Sequence, residues 1–249
     1  MSISAQPDRV AVVTGGLGGL GTEICRQLAH AGRRVVAVDL SARNEQRDLH
    51  AVVDSAIHFE SADVSDFDNC QALIERIQAQ HGSVDILVNA AGVTRDTSLR
   101  KMDPKQWHEL MRVNLDGVFN MFRHVVEGMS ARGFGRIINI SSVNGQTGQF
   151  GQTNYSAAKA GVHGFGMALA RETARKGVTV NTVSPGYCDT PMVAAVSDEI
   201  RRQIIADIPV GRLGAPADIA RAVVFLSADD AGYITGANLP VNGGYFMSF

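Results

Sequence analysis

A glycine-rich turn between an apolar run and a helical pattern constrains this chain more than any other feature. Residues 10–13 are all apolar, residues 14–21 read TGGLGGLG, and a helical pattern covers residues 19–31. Glycines at a strand-to-helix turn let the backbone approach a pyrophosphate, which the free amides of the helix N-terminus can bind. The turn therefore predicts a dinucleotide-binding unit. A flexible turn without a ligand is the alternative.

The rest of the chain alternates short apolar runs with longer amphipathic stretches. Runs typical of buried parallel strands cover 10–13, 35–38, 86–88, 137–140 and 178–183, with weaker candidates near 57–59 and 238–241. Helical patterns cover 19–31, 67–81, 104–131, 153–176 and 216–227, and three are followed by glycines typical of helix ends, Gly32, Gly82 and Gly177. This alternation predicts one α/β domain over residues 1–249. We expect a Rossmann-type, doubly wound parallel sheet of about seven strands with helices on both faces. The stretch 187–215 breaks the pattern, so a lid-like segment over the site is expected there.

Composition narrows the function. The 249 residues carry a net charge of -2 with no block of like charges, which argues against a nucleic-acid or membrane-surface partner. No apolar stretch reaches the roughly 18 residues that a membrane span needs, and the polar N-terminus lacks a signal core. Cys25, Cys70 and Cys188 are too far apart to suggest a metal site or a disulfide framework. A cytoplasmic protein without a metal is expected.

Three acidic or amide features follow the predicted strands. Asp39 ends the second strand, where a carboxylate can accept the hydroxyls of an adenosine ribose. Asp63 follows the third strand and could bond the adenine amino group. The small residues 89–92, Asn-Ala-Ala-Gly, follow the fourth strand and would let the backbone lie against a cofactor. Asp39 alone is also compatible with a surface residue at a strand end, and residues 89–92 alone are equally compatible with an ordinary strand-to-helix turn.

Tyr155 and Lys159 share one face of a predicted helix, and Ser142 lies at a strand end upstream. A free tyrosine has a pKa of about 10, and a lysine ammonium nearby favours the phenolate. We expect Lys159 to lower the pKa of Tyr155 toward neutrality, so that the phenol works as an acid–base group. Ser142 would hold the substrate oxygen. The alternative is an ordinary surface pair on an amphipathic helix, which the separate dinucleotide turn makes less attractive.

Over its whole length the sequence resembles the short-chain dehydrogenase/reductase family. The motifs that carry this resemblance are T-G-x-x-x-G-x-G at 14–21, N-A-A-G at 89–92, P-G at 185–186, and N-G-G at 242–244. The resemblance implies a homotetramer and four catalytic residues, Asn114, Ser142, Tyr155 and Lys159, with Asn114 supporting a water relay to Lys159. It also implies a nicotinamide cofactor bound by Gly15, Gly18, Gly19, Leu20, Gly21, Asp39, Leu40, Asp63, Val64, Asn89, Ala90, Ala91, Gly92, Tyr155, Lys159, Pro185, Gly186 and Thr190.

A narrower resemblance, over residues 94–96, 142–155 and 183–187, is to the acetoacetyl-CoA reductases of polyhydroxybutyrate synthesis. It implies reduction of acetoacetyl-CoA to (R)-3-hydroxybutyryl-CoA, with a substrate site formed by Asp96, Ser142, Gln149, Phe150, Gln152, Tyr155 and Tyr187. The best-known members use NADPH and lack an acid at the end of the second strand. Asp39 and Gly18 therefore predict a preference for NADH, although Arg43 and Arg47 could pair with the phosphate of NADPH.

Two alternatives stay open. The chain could reduce 3-oxoacyl groups on acyl carrier protein, whose acidic surface needs a basic docking patch. Arg132, Arg136, Arg175 and Lys176 could supply such a patch. It could also be a cofactor-sensing protein without turnover, which the complete set of catalytic residue types argues against.

Overall fold

The computed structural model describes residues 9–40, 57–190 and 197–247. Within them, seven strands form one parallel sheet in the order β3-β2-β1-β4-β5-β6-β7. The strands are β1 Val10–Thr14, β2 Arg34–Asp39, β3 Ile57–Ser61, β4 Ile86–Asn89, β5 Gly135–Ile140, β6 Val178–Pro185 and β7 Asn238–Val241. The predicted fold class is confirmed: this is a doubly wound, Rossmann-type α/β fold.

The described ranges contain eight α-helices. They are α1 Gly21–His30, α2 Phe67–His81, α3 Pro104–Met111, α4 Gly117–Arg132, the short α5 Asn144–Thr147, α6 Thr153–Thr173, α7 Asp198–Ala206 and α8 Pro216–Leu226. The helix predicted over 104–131 is in fact α3 and α4 joined by a π-helical turn, Arg112–Asp116. The segment predicted to be lid-like contains α7. None of the helices in the described ranges is long and apolar enough to cross a membrane.

The sheet is buried on both faces, which explains why most of its strands read as continuous apolar runs. Ala11 and Val13 pack into one core layer, which includes residues of α1 and α8. Val10 and Val12 point the other way, into a layer that includes residues of α2 and α4. Because neighbouring residues of a strand face opposite sides, one run of valines contributes to both layers.

Strand order reverses at β1, whose neighbours are β2 on one side and β4 on the other. In open parallel sheets, ligands bind in the crevice at such a switch point, outside the carboxyl ends of the strands. Thr14 and Asn89 lie side by side at that edge, and Asn139 of β5 lies next to Asn89. Gly32, Gly82 and Gly177 have positive φ angles at the ends of their helical segments, as predicted.

Candidate active site

The turn after β1 is shaped by close approaches that only glycine permits. Gly15 has a φ of 65°, and a Cβ there would lie 2.8 Å from the backbone nitrogen of Ala91. A Cβ at Gly21 would collide with the carbonyl oxygen of Gly15. The turn is therefore folded back on itself where α1 begins, with Gly18 and Gly19 exposed to solvent. Exposed glycines before a helix N-terminus fit a bound phosphate group.

Thr14 ties this turn to the loop after β4. Its buried hydroxyl oxygen accepts hydrogen bonds from the backbone N–H groups of Ala90 and Ala91, each at 3.2 Å. The two segments predicted to bind the cofactor are thus held together by one side chain. Gly92 continues the loop and is exposed beside the site.

Asp39 ends β2 directly beside the glycine turn. One carboxylate oxygen accepts a hydrogen bond from the backbone N–H of Leu17 at 3.2 Å, and the other accepts from the N–H of Leu40 at 2.9 Å. Leu40 is exposed. The carboxylate is therefore held at the edge of the turn, where the predicted ribose contact requires it. These residues fit an adenine dinucleotide.

Asp63 and Val64 follow β3, and their predicted contacts with the cofactor stay predictions. Asp63 accepts a hydrogen bond from the N–H of Ser65 at 2.9 Å and is partly exposed, which suits an adenine contact. Val64 is buried in the core, and its carbonyl accepts a hydrogen bond from the Asn120 side chain at 2.9 Å. The Val64 side chain thus supports this wall of the site from behind.

Asn114 is fully buried in the π-helical turn between α3 and α4. Its side-chain oxygen accepts a hydrogen bond from the N–H of Val93, and its side-chain nitrogen donates to the Val93 carbonyl, both at 2.8 Å. Both ends of the amide are used to hold the loop that carries Gly92. A π-helical turn of this kind is frequent at functional sites. The predicted water relay to Lys159 stays a prediction.

The catalytic side chains come together where β5 ends and α6 begins. Lys159 is buried, and its ammonium nitrogen donates a hydrogen bond to the carbonyl of Ile140 at 2.8 Å. The same nitrogen lies 5.7 Å from the centre of the Tyr155 ring. Burial lowers the pKa of Lys159 to about 8. The predicted trio of Ser142, Tyr155 and Lys159 therefore forms a compact group at the carboxyl edge of the sheet.

The predicted effect of Lys159 on Tyr155 is not what this structure shows. Burial raises the pKa of Tyr155 above its ordinary value, Asp96 raises it further, and a hydrogen bond with the Ser142 side chain only partly opposes this. Desolvation disfavours the phenolate more than the nearby groups favour it. Tyr155 is accordingly protonated at neutral pH in the protein without its cofactor, which is the state a proton donor needs.

The residues predicted to bind substrate differ in their exposure and in their partners within the protein. Gln149 is exposed, and Phe150 retains 91% of its accessible surface. Gln152, by contrast, is hydrogen-bonded within the protein at both ends of its amide, to Asn144 and Asp96. Tyr187 packs edge-on against Tyr245, with ring centres 5.5 Å apart, and burial raises the pKa of Tyr187.

The turn after β6 closes the remaining side of the site. The Pro185 carbonyl accepts a hydrogen bond from the N–H of Val143 at 2.8 Å, so this turn is fixed to the segment that carries Ser142. A Cβ at Gly186 would lie 2.8 Å from the Asn242 backbone, which explains the glycine there. Thr190 follows two residues after Cys188 and is the last described residue before 197.

Sequence patterns alone missed Asn144. This residue is 8% exposed, donates its backbone N–H to the Ser142 oxygen at 3.1 Å, and bonds Gln152 through its side chain. A polar residue two positions after the predicted catalytic serine was the available signal.

In the described ranges, no group of three potential metal ligands occurs.

Two of the four cations expected to form a docking patch for acyl carrier protein, Arg132 and Arg136, are engaged within the protein. Arg136 is buried at the start of β5, and its guanidinium donates to the carbonyl oxygens of Gly135, Gly177, Ala228 and Asp229. Arg132 donates to the Val84 carbonyl and pairs with Asp85. Both lie at the amino end of the sheet, away from the carboxyl edge that carries Ser142. Arg132, Arg175 and Lys176 are exposed, but Arg132 is held by the Val84 carbonyl and Asp85.

Comparisons with known proteins identify relatives that span almost the whole chain. A family model described as "Enoyl-(Acyl carrier protein) reductase" matches residues 15–246. The acetoacetyl-CoA reductase of Allochromatium vinosum is 55% identical over 96% of this chain and 99% of its own length. The acetoacetyl-CoA reductase of Cupriavidus necator is 49% identical over 96% and 98%. A 3-oxoacyl-[acyl-carrier-protein] reductase of Haemophilus influenzae is 43% identical over 96% and 99%.

Proposed function

This chain belongs to the short-chain dehydrogenase/reductase family, and from that membership we propose that it reduces acetoacetyl-CoA to (R)-3-hydroxybutyryl-CoA. The observation that carries the proposal is the grouping of Ser142, Tyr155 and Lys159 beside the glycine turn at one sheet edge. The names of two relatives at 55% and 49% identity support the substrate.

A nicotinamide cofactor, when bound, would supply the hydride for the ketone carbon. Tyr155 donates its phenolic proton to the oxygen that becomes the alcohol, and its raised pKa keeps that proton in place at neutral pH. Ser142 donates a hydrogen bond that stabilises negative charge as it develops on the same oxygen. Lys159, largely protonated below its pKa of about 8, stabilises the phenolate left behind.

Reduction of 3-oxoacyl groups on acyl carrier protein is the second candidate, supported by the Haemophilus influenzae relative at 43% identity. The buried Arg136 and the paired Arg132 weigh against it, because an acidic carrier needs free cations near the site entrance. We therefore rank the coenzyme A thioester first.

A single comparison tests both candidates. NADH oxidation is measured with acetoacetyl-CoA and with acetoacetyl-acyl carrier protein at matched concentrations, and the chirality of the product is determined. Faster turnover of acetoacetyl-CoA to the (R) alcohol supports the proposal. Faster turnover of the carrier-protein substrate assigns the second function. A protein that binds NADH but oxidises it with neither substrate is a cofactor-sensing protein.

NADH as the preferred cofactor belongs to the same proposal. The Asp39 carboxylate lies beside the glycine turn, where it would repel the 2′-phosphate of NADPH. Arg43 and Arg47, which could offset that repulsion, lie outside the described residues. Substitution of Asp39 tests this preference.

A homotetramer in the cytoplasm, acting in polyhydroxybutyrate synthesis, completes the proposal. A groove of about 830 Å³ between α4 and α6 supports self-association, because Phe119, Phe122 and Phe165 line it. Phe119 is 46% exposed and Met167 of α6 is 53% exposed. Light scattering should give a tetramer, and Ala168→Glu in the groove should reduce it to smaller species while the exposed control Gln71→Glu does not. A wild-type monomer would contradict the assembly.

A further inference from the structure

Three residues, Asp96, Gln152 and Asn144, form a chain of hydrogen bonds that leads from the exposed Asp96 to Ser142. Asp96 accepts a hydrogen bond from the side-chain nitrogen of Gln152 at 2.8 Å. The side-chain oxygen of Gln152 accepts one from the side-chain nitrogen of Asn144, also at 2.8 Å. The backbone N–H of Asn144 then donates to the Ser142 oxygen at 3.1 Å. The chain thus connects the loop after β4 with the end of β5.

The carboxylate of Asp96 sets the direction of this chain. An ionised carboxylate only accepts hydrogen bonds, so Gln152 must present its nitrogen to Asp96 and its oxygen to Asn144. Asn144 must then present its own nitrogen to Gln152. This arrangement anchors Asn144 with its backbone N–H directed at the Ser142 oxygen. Because that oxygen accepts from Asn144, the serine proton is left for another partner. Tyr155 is the nearby candidate, since the Ser142 side chain lowers the pKa of Tyr155 and so partly opposes the effect of burial.

Packing holds the chain in place. Asn144 is 8% exposed, and a Cβ on the adjacent Gly145 would lie 2.9 Å from the backbone of Lys159. The loop before α6 is also docked onto the Asp96 segment, since the N–H of Thr97 donates to the Gly151 carbonyl at 2.8 Å. Gln152 is therefore committed to internal partners, whereas Gln149 and Phe150 of the same loop remain exposed.

We propose that Asp96, Gln152 and Asn144 are positioning residues that act through Ser142. They orient the serine hydroxyl, which bonds Tyr155 in the free protein and the ketone oxygen when substrate is bound. This role takes the place of the direct contacts with substrate expected for Asp96 and Gln152. This inference rests on the proposed reduction for its kinetic readout but not for its spectroscopic one.

A double-mutant cycle separates action through Ser142 from direct substrate binding. Gln152→Leu should lower kcat for acetoacetyl-CoA about tenfold, the size expected when one well-placed hydrogen bond is lost, with KM changed less than twofold. In the Ser142→Ala background the same substitution should lower kcat less than twofold. An additive tenfold loss in that background, or an effect confined to KM, would overturn the proposal. Gln71→Leu on the outer face of α2 is the matched control and should leave both constants unchanged.

Two substitutions of Asp96 test whether its hydrogen bond or its charge matters. Asp96→Asn can still accept from Gln152 and should keep kcat within about threefold of the wild type, whereas Asp96→Ala should match the loss of Gln152→Leu. Equal damage from both Asp96 substitutions would mean that the charge, and not the hydrogen-bond chain, matters, and would contradict this assignment.

A spectroscopic titration of Tyr155 tests the role of the hydrogen-bond chain without any substrate. The phenolate absorption of Tyr155 is isolated by subtracting the Tyr155→Phe spectrum from that of the same protein with Tyr155 intact. Because a hydrogen bond to the phenolate lowers the pKa of Tyr155, Gln152→Leu should move the titration to higher pH. An unchanged titration would overturn the proposal. If the wild type leaves acetoacetyl-CoA unreduced, the proposed function fails while this titration still decides the role of the chain.

Discussion

The ammonium nitrogen of Lys159 lies 5.7 Å from the centre of the Tyr155 ring while it donates a hydrogen bond to the carbonyl of Ile140. Lys159 follows Tyr155 by one turn of α6, so both side chains point from the same helix face toward the end of β5. The strand thereby fixes the cation, and the cation stands beside the phenol where negative charge develops on proton transfer.

Tyr155→Phe should abolish most turnover without unfolding the protein. The substitution removes only the phenolic hydroxyl, and loss of a positioned general acid typically costs about 10²–10⁴-fold in rate. Steady-state kinetics with acetoacetyl-CoA measures the loss, and NADH affinity should stay nearly constant by fluorescence titration. A folded variant that keeps more than a tenth of wild-type turnover would show that another group donates the proton.

Lys159→Met should stabilise the protein without cofactor at pH 7 while it inactivates the enzyme. Burial lowers the pKa of Lys159 from 10.5 to about 8, so at pH 7 the fold contains a buried charge that the unfolded chain keeps in water. That difference corresponds to roughly 3 kcal/mol. The Ile140 carbonyl loses its donor in the variant, which costs about 1–3 kcal/mol. A net gain of about 1 kcal/mol in the free energy of unfolding is expected.

The pH dependence identifies the cause of that gain. Between about pH 8 and 10.5 the unfolded chain binds more protons than the folded protein at this group, so wild-type stability from Lys159 rises with pH. The advantage of Lys159→Met should therefore fade over this range and be gone by about pH 10. Urea unfolding at pH 7 and pH 10 measures it, with the exposed Lys105→Met as control. A pH-independent difference would exclude the buried charge as its source.

The fold could be predicted from the sequence because its central strands are buried on both faces. Residues 35–38 and 86–88 are apolar throughout for this reason, and the structure places them in β2 and β4. β3 and β7 lie at the sheet edges with partly exposed residues, which explains their weaker signal. The site segments were also predictable, because each follows the carboxyl end of a strand.

Features that depend on tertiary contacts could not be predicted. The break between α3 and α4 follows from hydrogen bonds between Asn114 and Val93, residues 21 apart in the chain. The spacing of Tyr155 and Lys159 indicates proximity but not depth of burial, and burial decides the pKa of Tyr155. Arg136 is a cation of the kind that a docking patch needs, yet its guanidinium donates to four backbone carbonyls. In each case a long-range partner determines the outcome.

Phe150 and Gln149 should contribute to substrate binding and not to stability. Phe150 is 91% exposed, so its replacement by alanine removes little packing. Covering part of a phenylalanine side chain on binding contributes about 1–2 kcal/mol, so Phe150→Ala should raise KM for acetoacetyl-CoA about tenfold. Gln149→Ala should have a smaller effect of the same kind. The KM for NADH should change less than twofold in both.

Tyr233→Ala is the matched control for Phe150→Ala, because Tyr233 is also fully exposed but lies in the loop that leads to the amino end of β7. It should leave both KM values unchanged. A substrate-binding role for the loop before α6 would be ruled out if Phe150→Ala and Gln149→Ala raised the KM for NADH as much as the KM for acetoacetyl-CoA. It would also be ruled out if neither substitution had a kinetic effect.

Asp39→Ser should narrow the preference of the enzyme for NADH over NADPH. Asp39 holds its carboxylate beside the glycine turn through hydrogen bonds from the N–H groups of Leu17 and Leu40. A carboxylate there pairs with a ribose hydroxyl but repels a 2′-phosphate. We expect the wild type to favour NADH at least tenfold in kcat/KM, equivalent to about 1.4 kcal/mol in transition-state free energy. The serine variant should lose NADH efficiency and gain NADPH efficiency.

The two cofactors should be compared at matched concentrations below KM, so that rates report kcat/KM directly. Gly18→Arg provides an independent addition, because Gly18 is exposed on the same turn and an arginine there could pair with the 2′-phosphate. The double variant Gly18→Arg/Asp39→Ser should favour NADPH, since it removes the repulsion and adds a cation. Equal use of both cofactors by the wild type, or an unchanged ratio after Asp39→Ser, would show that Asp39 does not select the cofactor.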